Sequence, residues 1–179
     1  MRVMTSAEDP RPPRIRSFVR RMGRITSAQE RALLELWPRF GLEVPGRPQP
    51  LDLDRLYGRH APRIVEIGFG NGENLLALAA ANPQLDYLGI EVHRPGVGRT
   101  LLEAHKAGLS NLRVACHDAV EVFEQLLPPR SLNGVLLLFP DPWHKKRHNK
   151  RRLVQAPFVE LVAGRLAAGA VLHLSLIHI

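Results

Sequence analysis

Four acidic residues each follow or close an apolar stretch of the chain, and their carboxylates are the side chains best placed to do chemistry. They are Glu66, Glu91, Asp118 and Asp141. Each apolar stretch has the composition of a buried strand, and in an open parallel sheet the ligand crevice lies at the carboxyl ends of the strands. A single acid at such a place is usually a helix cap or a solvated loop residue. Four in consecutive register predict a site that accepts hydrogen bonds from a ligand.

The first of these acids opens a glycine-rich turn, RIVEIGFGNGE, at residues 63–73. Gly68, Gly70 and Gly72 occupy every second position of this turn, and the helical pattern of residues 74–81 follows directly. Strand, glycine turn and helix in that order begin a doubly wound α/β domain. We expect the glycines to let backbone N–H groups approach a ligand closely, because no side chain stands in the way.

The spacing of this turn favours a cationic ligand over a dinucleotide. A dinucleotide fingerprint reads G-x-G-x-x-G/A, whereas this turn reads G-x-G-x-G and has Glu73 where the small third residue belongs. The charges of Glu73 and Glu66 disfavour a pyrophosphate at the helix N-terminus. S-adenosylmethionine carries a sulfonium, no phosphate, and an adenosine that needs acceptors. We therefore prefer this cofactor to NAD, with Glu91 placed for ribose hydroxyls and Asp118 for the adenine amine.

The loop after the fourth apolar stretch, FPDPWHKKRHNKRR at residues 139–152, is the most specific segment of the chain. Two prolines bracket Asp141 and stiffen the backbone around its carboxylate. Trp143 offers a flat face for stacking on a base or shielding the site, or alternatively caps the core. Six Lys or Arg follow within residues 145–152. They predict that a nucleic-acid backbone is held at the mouth of the crevice, with a solvated basic face as the alternative.

Apolar and turn patterns predict the elements that position these residues, in an α/β, doubly wound and mostly parallel sheet. The predicted strands are 64–67, 86–92, 112–118, 132–141 and 170–175, and the main helices are 74–81, 95–107, 120–127 and 158–166. Ser27 and Glu30 form a capping-box pattern that begins an earlier helix. Residues 1–24 are predicted to be a basic flexible arm, 25–60 an N-terminal helix and linker, and 61–179 the cofactor-binding domain, incomplete after its fifth strand.

The charge of the chain is concentrated in two short segments. The chain has 25 Lys+Arg and 17 Asp+Glu, a net charge of +8. Residues 11–24 and 145–152 each hold six Lys or Arg and no acid, so the remainder has 25 − 12 = 13 basic against 17 acidic residues. This pattern indicates a polyanion partner docked on a mildly acidic body.

The remaining composition excludes several classes of protein. Cys116 is the single cysteine, which excludes an internal disulfide framework and suits a reducing cytoplasm. No apolar run is long enough to span a membrane. His144 and His148 lie among cations at a spacing that does not favour a metal site, so we expect no metal.

The segments VEIGFGNGE, GIEVHRPGVG, CHDAVEV and FPDPWHKKRHNKRR together resemble the bacterial tRNA (guanine-N7-)-methyltransferases, which are class I S-adenosylmethionine-dependent enzymes. The resemblance runs from about Ile15 to Leu174 and includes RSFVRRMGRITSAQE near the start. It implies methyl transfer from S-adenosylmethionine to N7 of a guanine in the tRNA variable loop. It implies cofactor binding by Glu66, Gly68, Gly70, Glu91 and Asp118, a catalytic Asp141, and RNA or substrate contacts by Lys145, Arg147, His148, Asn149, Lys150, Arg151 and Arg152.

The end of the chain departs from that family. The family pattern continues after the fifth strand with a Thr-Asp pair and later a Thr-x-Phe-Glu segment, whereas this sequence reads SLIHI and stops. We therefore expect a C-terminally truncated chain that is inactive as given. The alternative is an RNA-binding fragment that retains the cofactor pocket and lacks catalysis.

Overall fold

The computed structural model describes residues 23–140 and 146–175. The strands are β1 (Gly41–Leu42), β2 (Arg63–Ile67), β3 (Asp86–Ile90), β4 (Leu112–Ala115), β5 (Leu132–Leu138) and β6 (Leu166–Ser175). The α-helices are α1 (Ser27–Glu35), α2 (Trp37–Phe40), α3 (Leu53–Tyr57), α4 (Glu73–Ala81), α5 (Arg94–Lys106), α6 (Ala119–Gln125) and α7 (Ala156–Arg165), and a 3-10 helix spans Lys146–Arg151.

The strands form one six-stranded sheet in the order β1-β4-β3-β2-β5-β6, and every pair of neighbours is parallel. Helices cover both faces, as the alternation along β2 requires. Val65 and Ile67 pack with α6 and α7 on one face, whereas Ile64 packs on the opposite face with α4 and α5. The predicted doubly wound α/β fold is therefore confirmed. None of the helices in the described ranges combines the length and the apolar character needed to cross a membrane.

The strands that carry the acids are shorter than predicted. The third strand, β3, ends at Ile90 and β4 ends at Ala115, so Glu91 and Asp118 lie in the loops just beyond them. The last strand, β6, begins at Leu166, four residues before the predicted 170. The early ends of β3 and β4 place Glu91 and Asp118 close to the beginnings of the following helices, where their carboxylates accept hydrogen bonds from backbone N–H groups.

The N-terminal segment joins the sheet and the core. Gly41 and Leu42 pair with Val114 and Ala115 of β4, a strand that the sequence pattern does not predict. Phe40 is buried in the core beside α5, and Gln49 N–H donates to the Gln125 carbonyl at 2.7 Å. The division between residues 25–60 and 61–179 stays a prediction.

The first helix begins one residue earlier than the predicted capping box. Thr26, rather than Ser27, caps α1: its hydroxyl accepts a hydrogen bond from Gln29 N–H, and the Gln29 side chain accepts from Thr26 N–H. The assignment to Ser27 and Glu30 is wrong because both four-residue windows fit the capping-box pattern, and the sequence does not distinguish them.

Candidate active site

The carboxyl ends of β2, β3 and β4 meet at one edge of the sheet. Ile67 pairs with Ile90, and Ile90 pairs with Ala115, so these three strands end side by side. Glu66, Glu91 and Asp118 therefore share this edge, which we call the crevice edge. Asp141, the fourth predicted acid, lies outside the described residues, as do Trp143, His144 and Lys145.

The glycine turn lies at the crevice edge, between β2 and α4. Gly68, Gly70 and Gly72 have φ angles of 73°, 60° and 83°, a left-handed conformation that only glycine adopts without strain. A Cβ added at Gly68 or Gly70 would meet nothing within 4 Å. The places where side chains of these two residues would stand are therefore open space. Ligand atoms can lie there directly against the backbone.

The N–H groups of these glycines all donate within the protein. Gly68 N–H donates to the Ile90 carbonyl at 2.8 Å, and Gly72 N–H donates to the Phe69 carbonyl at 2.9 Å. Gly70 N–H donates to Glu91 Oε2 at 2.8 Å. None of these three glycine N–H groups is therefore left for a ligand. The glycines lack the free N–H groups that hold a pyrophosphate in nucleotide-binding turns, which agrees with a ligand that has no phosphate.

Glu91 links the glycine turn to the start of α5. Besides Gly70 N–H, its carboxylate accepts from Val92 N–H at 2.6 Å and from His93 N–H at 2.9 Å, both through Oε1. A carboxylate has about four lone-pair sites. Because Oε2 accepts one of these three bonds and Oε1 two, Oε2 can still accept a hydrogen bond from a ligand hydroxyl.

Glu66 is the most buried of the three acids, with 3% of its surface exposed. Burial raises the pKa of its carboxyl, and a hydrogen bond from Asn74 partly opposes that rise. Asn74 Nδ2 donates to Glu66 Oε2 at 3.0 Å. Sequence reasoning does not single out Asn74. Its only signal is a polar residue that follows Glu73 in the first turn of a helix whose remaining residues are apolar, ENLLALAAA.

Asp118 is the N-cap of α6. Its Oδ1 accepts from Val120 N–H at 2.8 Å and from Glu121 N–H at 3.3 Å. The ordinary capping role is therefore present, and it uses one carboxylate oxygen. Within residues 23–140 and 146–175, no hydrogen bond reaches the other oxygen, Oδ2. Asp118 can thus cap α6 and accept from a ligand amine at the same time.

The predicted RNA-contacting residues that the structure describes lie in and just after the 3-10 helix of Lys146–Arg151. Asn149, Lys150 and Arg152 are exposed, and Arg151 is half-buried. Gln155 Nε2 donates to the Lys150 carbonyl at 3.2 Å and to the Arg152 carbonyl at 2.6 Å. These bonds hold the main chain at the end of the basic segment, which also includes Arg147 and His148.

The fold and the crevice edge together define a class of protein, the Rossmann-like methyltransferases. The family described as "Putative methyltransferase" matches residues 60–175. A solved structure with a similar fold is the 16S rRNA methyltransferase KamB, with a TM-score of 0.53 and 19% identity over 69% of this chain and 57% of that one. At this identity the likeness concerns the fold alone.

Closer relatives narrow the class. The tRNA (guanine-N(7)-)-methyltransferase of Yersinia enterocolitica is 60% identical over 162 residues, which are 90% of this chain and 67% of the relative. The enzyme of the same name from Alkalilimnicola ehrlichii is 63% identical over 161 residues, 90% of this chain and 68% of the relative. The chain belongs to the tRNA (guanine-N(7)-)-methyltransferase family.

Proposed function

We propose that this chain transfers a methyl group from S-adenosylmethionine to N7 of a guanine in the variable loop of tRNA, in the cytoplasm. The observation that carries the proposal is the glycine turn, whose glycine N–H groups are bonded within the protein while carboxylates lie around it. Such a site suits a cationic ligand without phosphate. The 60% identity to a tRNA (guanine-N(7)-)-methyltransferase supports guanine N7 of tRNA as the acceptor.

The residues of the crevice edge fit S-adenosylmethionine. The free acceptor site on Glu91 Oε2 suits a ribose hydroxyl, and Asp118 Oδ2 suits the adenine amine. The open sides of Gly68 and Gly70 leave room for ligand atoms against the backbone. Glu66 adds a buried carboxyl group that is held by Asn74 beside the turn. When bound, S-adenosylmethionine supplies an electrophilic methyl group.

Methylation of guanine N7 does not require a strong acid–base catalyst. Guanine N7 carries an in-plane lone pair and no proton, so positioning matters more than proton removal. We propose that Asp141 accepts a hydrogen bond from the guanine, orients the base and stabilises the positive charge that it gains. Because the RNA major groove is deep and narrow, the target guanine must be splayed out or lie in a loop.

The basic segment after β5 is the proposed contact for the tRNA backbone. We assign this role to Lys145, Arg147, His148, Asn149, Lys150, Arg151 and Arg152. The exposure of Lys150 and Arg152 and the bonds from Gln155 that fix their carbonyl groups support the assignment. Cations on this segment would attract phosphates without reading sequence.

The direct test is methyl incorporation from labelled S-adenosylmethionine into unmodified tRNA, with the modified base located by N7-specific strand cleavage. Asp141→Asn keeps the shape of the side chain and loses its charge. We expect the rate of methyl transfer to fall by about 10²-fold or more, as for the loss of an electrostatic stabiliser, with tRNA affinity nearly unchanged.

Two results would contradict this proposal. Equal losses of rate and of tRNA affinity in Asp141→Asn would make Asp141 a binding residue. A wild-type chain that binds both S-adenosylmethionine and tRNA without methylating guanine would instead be an RNA-binding fragment that retains the cofactor pocket.

A further inference from the structure

The glycine turn rests on one side of α5 through two close contacts. A Cβ added at Gly96 would lie 2.1 Å from the carbonyl oxygen of Gly70. A Cβ added at Gly72 would lie 2.2 Å from Thr100 Oγ1. Gly96 and Thr100 are buried and stand one helical turn apart, so they form a single surface under the turn. Only a hydrogen atom fits at Gly96 and at Gly72.

Gly70 is held from two directions by one short stretch of chain. Its N–H donates to Glu91 Oε2 at 2.8 Å, and its carbonyl lies against Gly96. The Thr100 hydroxyl donates to the Gly96 carbonyl at 3.0 Å, which fixes the Thr100 rotamer beneath Gly72. The segment from Glu91 to Thr100 therefore sets how far the glycine turn stands from α5.

We infer that Gly96, together with Thr100, is a positioning residue that seats the glycine turn and thereby sets the affinity for S-adenosylmethionine. The identity of the ligand rests on the proposed function. A methyl group at residue 96 must push the Gly70 carbonyl away by roughly 1 Å or more to reach an ordinary non-bonded distance. The Glu91 carboxylate stays with α5, so the displacement stretches its hydrogen bond to Gly70 N–H. The cofactor then meets a displaced turn.

Gly98 provides a matched control on the same helix. It is also buried, and an added Cβ there would lie 2.8 Å from the Gln29 carbonyl oxygen and 2.9 Å from Gln29 Cβ. Gly96→Ala and Gly98→Ala therefore both press a methyl group against a backbone carbonyl. The first presses on the glycine turn, and the second presses on α1.

The experiment compares these two variants in the full chain by calorimetric titration with S-adenosylmethionine and by hydrogen exchange without ligand. We expect Gly96→Ala to raise the Kd by about tenfold or more, which corresponds to ~1.4 kcal/mol, and to speed exchange at the Gly70 amide. Gly98→Ala should leave the Kd within about twofold and speed exchange in α1 instead. Both variants should lower the melting temperature.

Equal weakening of cofactor binding by both variants, or a wild-type Kd in Gly96→Ala, would overturn the inference. Failure of the proposed function gives a different result: the wild-type chain would not bind S-adenosylmethionine. In that case the exchange rates at the Gly70 amide still report whether Gly96 seats the turn.

If Gly96→Ala does not fold, substitutions at Thr100 test the same contact between α5 and the glycine turn. They remove atoms instead of adding them. Thr100→Ala deletes the atoms beneath Gly72, whereas Thr100→Ser keeps the nearest one, Oγ1. We expect Thr100→Ala to raise the Kd severalfold and Thr100→Ser to restore most of the affinity. An unchanged Kd in Thr100→Ala, or the same loss in both variants, would overturn the inference.

Discussion

The two ends of the sheet carry carboxylates in opposite electrostatic surroundings. At the crevice edge, no Lys, Arg or His of residues 23–140 and 146–175 forms an ion pair with Glu66, Glu91 or Asp118. Their partners are backbone N–H groups and one amide. At the opposite end, Arg59 donates to Asp86 Oδ1 through Nε at 2.9 Å and through Nη2 at 2.6 Å. Within the described residues, the protein pairs one set of acids with cations and leaves the other set without a cationic partner.

The pKa values of two acids, one from each end of the sheet, shift in opposite directions. Hydrogen bonds from His60 and Arg63 hold the pKa of Asp54 below its usual value, whereas burial raises the pKa of Glu66. Asp54 and Arg63 lie at the end of the sheet opposite the glycine turn, where β2 begins. The cationic partners of Asp54 favour its charged form, whereas burial of Glu66 makes its charged form more costly.

The largest expected effect concerns the basic segment, whose cations follow Asp141 in sequence. Replacing Arg147, Lys150, Arg151 and Arg152 with Gln should weaken tRNA binding strongly. Each lost phosphate contact should reduce the slope of log K against log salt by roughly 0.7–0.9. Titrations at several salt concentrations measure the slope, with S-adenosylmethionine affinity as the control. If cofactor affinity changes as much as tRNA affinity, these cations neutralise the crevice acids and the comparison fails.

Next in size is the paired end of the sheet. Arg59→Ala leaves Asp86, whose side chain is 0% exposed, buried without its cation. We expect a loss of about 2–4 kcal/mol in the free energy of unfolding, below the full range for a buried pair because Arg59 is partly exposed. Denaturant unfolding measures this loss. Arg55→Ala, a change of an exposed arginine on α3, should cost less than about 0.5 kcal/mol.

The affinity of Arg59→Ala for S-adenosylmethionine is the second measurement on this variant. It should be the same in Arg59→Ala as in the wild-type protein under conditions where both are folded. A marked loss of affinity would mean that the paired acids also serve the ligand, contrary to the comparison.

Asp118→Asn separates the helix cap from the charge. Asn caps a helix about as well as Asp, so the free energy of unfolding should hardly change. Loss of the charged acceptor should weaken S-adenosylmethionine binding by about 1–3 kcal/mol. Asp118→Ala should lose the same affinity and also about 1 kcal/mol of stability. If Asp118→Asn binds S-adenosylmethionine with wild-type affinity, Asp118 serves only as the N-cap of α6.

The smallest effect is expected at Glu66, and its size depends on pH. Because burial raises the pKa in the folded state above the ordinary 4.5, the folded protein binds the proton more tightly than the unfolded chain. The wild-type protein therefore loses stability as pH rises from that value through the raised pKa, and then the loss levels off. Glu66→Gln removes this penalty, since Gln still accepts from Asn74.

Thermal unfolding of both proteins across that pH range measures the difference. The advantage of Glu66→Gln over the wild-type protein should grow with pH and then become constant. A stability difference between the two proteins that does not change with pH would show that Glu66 carries no burial penalty.

Long apolar strands and the glycine turn are predictable because the signal lies within each segment. The five predicted strands correspond to β2 to β6, and three predicted acids converge because parallel strands end on one side. Strand β1 is not predictable in this way. Its two residues, Gly41 and Leu42, border a linker-like segment, and their partner strand lies far along the chain. Short strands depend on such tertiary contacts more than on local preference.

The site shows a second limit of sequence reasoning. Glycine spacing predicts a turn with φ angles above zero, but it does not say which acceptor takes each N–H group. The acceptors of Gly68 and Gly70 are Ile90 and Glu91, which reach the turn only when β2 and β3 are in register. Sequence reasoning misses Asn74 for a similar reason. Its role depends on one hydrogen bond to Glu66, which forms only in the folded protein.

The pairing of β1 with β4 has a consequence for the order in which the protein is made. Gly41 leaves the ribosome before its partner Val114, and 114 − 41 = 73 residues separate them. At a synthesis rate of about 5–20 residues per second, the N-terminal segment waits on the order of 4–15 s for its place on the sheet. During that interval Phe40 and Leu42 lack the strand that later buries them. Closing the sheet at this edge is therefore a long-range step of folding that cannot begin until β4 has been made.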